Sequence, residues 1–158
     1  MVIKKFDATQ TIKNLLTQLE SKAEIAKDVL ILETTEPIDV YADYDRFVQI
    51  MVNILQNAIQ FTEEGEIRVR IENGYFETII EISDTGIGMS EEQVKNIWDR
   101  YYKVDPSRKI RQFGESGLGL SIVEQLVRLH KGKISVESER GKGTTFKISF
   151  PDIDLNEE

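Results

Sequence analysis

The sequence predicts an α/β two-layer sandwich, a mixed and mostly antiparallel sheet covered on one face by three helices. Three observations predict it. Two long stretches, "DATQTIKNLLTQLESKAEIAK" and "DRFVQIMVNILQNAIQFT", repeat apolar residues at helical spacing. "EIRVRIE" and "FETIIEIS" alternate apolar and polar residues around Asn73-Gly74, the pattern of two strands joined by a two-residue turn. A third helical stretch from Gly117 to Lys131 stops at Gly132 and leads into a second alternating pair, "KISVES" and "TTFKISF".

"IKKF" opens the chain as a short strand. The first helix gathers Ile12, Leu15, Leu16, Leu19 and Ala23 near one face, with Asp7 or Thr9 as its cap. "VLILET" and "IDVYA" read as short strands separated by Glu36-Pro37. The second helix runs from about Tyr44 to Phe61, with Gly65 after its end. "DTGIGMS" reads as a tight loop before the short helix "EEQVKNIW", capped by Ser90. Residues from about Asp99 to Ser116 have no clean period and are expected to form a long mobile loop; such loops in a compact domain are usually functional or disordered. Strands are expected to pair consecutively, within one domain over residues 1–151. The acidic tail, residues 152–158, is expected to be disordered.

A length of 158 residues suffices for one domain with a real core. The absence of cysteine excludes disulfides and thiolate metal sites, and a lone histidine, His130, excludes a multi-histidine metal cluster. No apolar run approaches the roughly 20 residues of a membrane span, and "MVIKKFDATQ" is no signal peptide. A net charge of -8 argues against a nucleic-acid partner. That charge is uneven: from Asp99 to Phe113 five basic residues face two acidic ones, which suits a small anionic ligand.

Four stretches carry chemistry. The second helix has no charged residue from Phe47 to Thr62, and its polar face bears the amides Gln49, Asn53, Gln56, Asn57 and Gln60. Asn53 and Asn57, one turn apart, project to one side, and an amide oxygen suits a hard cation such as Mg2+, which takes few protein ligands. In "ISDTGIGMS", Asp84 ends an apolar strand; its carboxylate can accept from an exocyclic amine while Gly86 and Gly88 admit a flat ring to the backbone. In "FGESGLGLSIV", Gly114, Gly117 and Gly119 crowd the start of a helix, where backbone N–H groups can cradle phosphate oxygens and the helix dipole adds attraction. The pattern is neither a P-loop nor a Rossmann fingerprint. "RGKGTTF", with Gly141 and Gly143, is a common hairpin-turn composition and the weakest of the four.

Together and in this order, the stretches resemble the catalytic, ATP-binding domain of sensor histidine kinases, in the superfamily that also holds gyrase, a heat-shock chaperone and a mismatch-repair ATPase. The resemblance covers about residues 3–151. "NILQNAIQFT" is similar to the family's N box, "DTGIGM" to its G1 box, "IWDRYYKVDPS" to its F box, "GESGLGL" to its G2 box and "GKGTTF" to its G3 box. It implies that Asp84 accepts from the adenine amine, with Gly86 and Gly88 beside the ring and Thr144 or Thr145 in support. Asn57 would hold Mg2+, with Asn53 facing the same site. Gly114, Gly117, Leu118 and Gly119 would meet the phosphates, Lys103 the γ-phosphate, and Tyr102 and Trp98 would shape an ATP lid over about residues 99–116. ATP and Mg2+ are thus the implied cofactors.

Asn53 stands where ATP-hydrolysing members of the superfamily place a glutamate, and an amide cannot serve as a general base, so the resemblance favours a kinase module. The implied acceptor is a histidine on a dimerisation domain that this chain lacks, with a response regulator downstream. The chain is expected to be a monomeric, cytoplasmic fragment of a membrane-anchored sensor. His130, near a helix C-terminus, is expected to be a dipole partner rather than an acceptor. Gln60 stands where many members carry lysine, and Lys103 where many carry arginine. The alternative is therefore a nucleotide- or partner-binding module without phosphotransfer.

Overall fold

The computed structural model describes residues 1–99 and 119–153. Almost all of the expected lid, and residues 154–158 of the tail, lie outside the described residues. The elements are β1 (Lys4–Asp7), α1 (Ala8–Ala26), β2 (Val29–Leu32), β3 (Asp39–Ala42), α2 (Tyr44–Gln60), β4 (Glu66–Gly74), β5 (Glu77–Asp84), α3 (Glu91–Asn96), α4 (Gly119–Leu129), β6 (Lys133–Glu139) and β7 (Gly143–Pro151). Five strands form one sheet in the order β2-β4-β5-β7-β6, and α1, α2 and α4 cover one face, as expected. Among the described residues, only the β2–β4 pairing is parallel.

Consecutive pairing holds for β4–β5 and β6–β7 but not for β2 and β3. Instead, β3 pairs antiparallel with β1 in a separate two-stranded sheet, and β2 runs beside β4. The β4–β5 turn also lies two residues later than Asn73-Gly74 predicts. Gly74 pairs with Glu77, so Tyr75 and Phe76 make the turn, and Phe76 takes a φ of 56°. Side chains decide this register: it sets Val69 opposite Ile82 and Ile71 opposite Ile80 on the core face. On the other face it brings Arg70 within 2.6 Å of Glu81.

The helices start where side chains satisfy their first N–H groups. Asp7 caps α1 by accepting from Gln10 N, and Asp43 caps α2 by accepting from Arg46 N. Ser90 and Gln93 form a capping box on α3. Phe47, Ile50, Met51, Ile54 and Leu55 of α2 are wholly buried against Ile67, Val69, Ile80, Ile82, Ile148 and Phe150 of the sheet region. Burial of each such side chain stabilises by about 1.5–3 kcal/mol relative to exposure.

His130 is also buried. Its Nδ1 lies 2.7 Å from Leu126 O, and its Nε2 accepts from Asp43 N at 3.1 Å. Nδ1 therefore carries the proton. Both ring nitrogens are engaged in joining the end of α4 to the start of α2, a structural role more specific than dipole pairing.

Candidate functional site

The pattern that buries β5 also places Asp84 at its end. Alternation puts Ile80, Ile82 and Asp84 on the helix-facing side, and the β5–β7 register sets Asp84 opposite Thr144. Asp84 Oδ1 accepts from Gly86 N at 2.9 Å and from Thr144 N at 3.3 Å. Both bonds use Oδ1, which leaves Oδ2 for another donor. Burial pushes the Asp84 carboxyl up to about 6; the Gly86 and Thr144 N–H groups oppose this, and the Asp28 carboxylate adds to it. The side chain of Thr62, buried beside the carboxylate, also opposes the rise.

The glycines after Asp84 serve close packing of backbone on backbone. A Cβ on Gly86 would lie 2.2 Å from Phe61 O at the end of α2, and one on Gly88 would lie 2.0 Å from Glu139 O. Gly88 also has a φ of 68°, which L side chains rarely adopt. Ile87 N donates to Phe61 O at 3.0 Å, and Gly141 N donates to Ile87 O at 2.7 Å. The loop is thus clamped between the C-terminal end of α2 and the β6–β7 turn. Ser138 joins the clamp by accepting from Met89 N at 2.8 Å and lying 2.8 Å from Thr144 Oγ1.

The amide face of α2 meets the start of α4. A Cβ on Gly119 would be in ordinary contact with Asn53, 3.8 Å from its Oδ1. Asn53 and Asn57 are half-buried, whereas Gln60 at the last turn is buried. Among the described residues there is no metal-competent group of three or more His, Cys, Asp or Glu side chains.

A family model described as histidine kinase-, DNA gyrase B-, and HSP90-like ATPase matches residues 42–154. The chain belongs to that family. The sensor histidine kinase YclK of Bacillus subtilis (strain 168) is 52% identical over 133 residues, which are 84% of this chain and 28% of YclK. The chain therefore spans little more than a quarter of that relative. The nucleotide-free catalytic domain of the histidine kinase ThkA superposes with a TM-score of 0.82 at 26% identity, over 96% of this chain and 97% of that one. ThkA has also been solved in complex with the response regulator TrrA; that kinase superposes with a TM-score of 0.77 at 25% identity, over 96% of this chain and 42% of that one. These likenesses place the chain among the ATP-binding catalytic domains of sensor histidine kinases.

The structure brings Asp84, Gly86, Gly88 and Thr144 of this catalytic domain together, and separately sets Asn53 against Gly119. Thr145 stands apart from the carboxylate. Alternation turns it to the outer sheet face, where its hydroxyl lies 2.9 Å from Ser83 Oγ. Register thus makes Thr144, not Thr145, the neighbour of the Asp84 carboxylate. Trp98 packs edge-on against Phe146, their ring centroids 6.0 Å apart. Tyr102, Lys103, Gly114, Gly117 and Leu118 lie outside the described residues.

Sequence reasoning missed Phe61, Thr62 and Ser138. Phe61 and Thr62 directly follow the amide stripe and resemble an ordinary helix end. Ser138 gives no signal in sequence, because only the sheet register carries it to Met89 and Thr144.

Proposed function

We propose that this domain holds Mg2+-bound ATP for transfer of the γ-phosphoryl group to a histidine on a separate dimerisation domain. The observation that carries the reading is Asp84: a largely buried carboxylate, tied down through Oδ1, with Oδ2 left to accept from the adenine amine. The buried hydroxyl of Thr62 beside Asp84 gives the same pocket a further polar group for a purine or a water beside it.

The phosphates would then run toward the region where Asn53 meets Gly119. Asn57 offers a neutral amide oxygen to Mg2+, and the lack of a carboxylate cluster among the described residues fits an ion whose other ligands are phosphate oxygens and water. The ion would neutralise phosphate charge as the transfer proceeds. Asn53 cannot take a proton from water, which disfavours hydrolysis relative to transfer. In the proposed step a nitrogen of the acceptor histidine forms the bond to the γ-phosphorus, the bond to the bridging oxygen breaks, and ADP leaves. The chain's own part is to position nucleotide and exclude water. Lys103 and Tyr102 belong to this reading as γ-phosphate partner and lid residue, and Gly114, Gly117 and Leu118 as phosphate-cradle residues.

The full protein would be a membrane-anchored sensor that passes the phosphoryl group to a response regulator, as the solved ThkA–TrrA pairing suggests. No helix of the described residues is long and apolar enough to cross a membrane. The test is to mix this chain with radiolabelled ATP, Mg2+ and a supplied histidine-bearing dimerisation domain. Acid-labile label on that domain is expected, and none on this chain. A chain that binds ATP yet labels no acceptor would refute phosphotransfer.

A further inference from the structure

Three neighbouring strands break the same pattern in the same row. On the helix-facing side β5 runs Ile80, Ile82, Asp84, β7 runs Thr144, Phe146, Ile148, Phe150, and β6 runs Ile134, Val136, Ser138. The registers set Asp84 opposite Thr144 and Thr144 opposite Ser138. An apolar face thus ends in a carboxylate and two hydroxyls side by side. Asp84 and Thr144 belong to stretches already linked to the purine; Ser138 does not.

The partners of Ser138 Oγ fix where its proton goes. It lies 2.8 Å from Met89 N, 3.0 Å from Gly143 O and 2.8 Å from Thr144 Oγ1. An amide N–H can only donate and a carbonyl oxygen can only accept, whereas a hydroxyl has one proton and two lone pairs. Met89 N–H takes one lone pair, and the Ser138 proton goes to Gly143 O. The second lone pair is what remains for Thr144, so Thr144 is the donor in that contact. Turning the Ser138 proton toward Thr144 instead would set two oxygen lone pairs against each other at Gly143 O.

The proton of the Thr144 hydroxyl is therefore already engaged. Thr144 is 8% exposed, and its N–H is held by Asp84 Oδ1 at 3.3 Å. Its side-chain oxygen keeps only lone pairs, on the face it shares with Asp84. The ionised Asp84 carboxylate can likewise only accept. Two acceptors side by side favour a group that brings N–H donors, such as an exocyclic amine. A keto oxygen in the same place would leave both without a partner, which a buried site penalises.

We propose that Ser138 is a positioning residue that sets the purine specificity of this site: by engaging the Thr144 proton it leaves beside Asp84 an oxygen that accepts and does not donate, which selects a purine bearing an exocyclic amine over one bearing a keto oxygen. This rests on the reading of Asp84 as the purine acceptor. Ser138→Ala frees the Thr144 hydroxyl to turn its proton toward a keto oxygen, whereas Ser138→Thr keeps a hydroxyl in place.

The experiment measures ADP and inosine diphosphate affinities by calorimetry at about pH 8, where Asp84, with its value of about 6, is ionised. The parent is expected to prefer ADP. In Ser138→Ala that preference falls on the order of fivefold, the size of one net hydrogen bond, and Ser138→Thr restores it. Thr144→Val lowers the preference as well, and adding Ser138→Ala to it changes the ratio no further. A purely structural Ser138 would weaken both nucleotides alike, so an ADP preference that survives Ser138→Ala overturns the proposal and leaves the purine reading standing. A further fall in the double variant also overturns it, because Ser138 would then act other than through Thr144. A parent that binds both nucleotides equally overturns the purine reading itself. Should Ser138→Ala not fold, Ser138→Cys, with its weak acceptor, serves for the same comparison.

Discussion

Replacing Asp84 by asparagine is expected to stabilise the empty domain at neutral pH while removing its function. The folded-state value of about 6 lies above the ordinary 3.8, so the folded chain binds this proton more tightly than the unfolded chain does. The favourable contribution is complete below pH 3.8 and is lost as pH rises through about 6. At about 1.4 kcal/mol for each tenfold change in proton affinity, the whole difference is about 3 kcal/mol. Asp84 retains some contact with water, which screens its charge and lowers the expected gain to on the order of 1–3 kcal/mol. Asparagine keeps an oxygen for Gly86 N and Thr144 N and never ionises. Urea unfolding of parent and Asp84→Asn near pH 7 and near pH 4 measures the gap at both ends. The variant is expected to be the more stable near pH 7, with the advantage shrinking toward pH 4. A gap independent of pH would refute the claim that the native site holds a strained, ionised Asp84.

Three further perturbations probe other parts of the site. Asn57→Ala should remove the Mg2+-dependent part of nucleotide affinity and leave Mg2+-free ADP binding near the parent value, which calorimetry with and without the ion will show. Gly88→Ala forces a Cβ to 2.0 Å from Glu139 O at a φ of 68°, so urea unfolding should show a loss on the order of 2–3 kcal/mol. Thr62→Val removes a buried side chain that opposes the rise of the Asp84 carboxyl, so an NMR titration should show Asp84 holding its proton to higher pH, while ADP binding weakens.

Much of this was legible in the sequence because periodicity reports burial directly. Ile12 to Ala23 and Phe47 to Ala58 form the buried stripes of α1 and α2 that their spacing predicts. The amide face of α2 and the carboxylate ending β5 could be seen for the same reason, as breaks in an expected pattern. Contacts set by packing could not be seen. Asn73-Gly74 is a strong turn signal, but the hydrophobic register of β4 against β5 overrode it and placed Tyr75 and Phe76 in the turn. The glycines of "DTGIGM" read as room for a ring, yet a Cβ on Gly86 or Gly88 would meet the carbonyls of Phe61 and Glu139.

The proposed placement of the adenine ring of a Mg2+-bound nucleotide on Asp84 carries the functional reading of this domain. Its most direct test is calorimetric titration of the parent chain and Asp84→Asn with ADP and with a non-hydrolysable ATP analogue, each with and without Mg2+. Magnesium-strengthened binding by the parent that is lost in the variant is the predicted result. Binding of equal strength by parent and variant would contradict it and move the adenine away from Asp84.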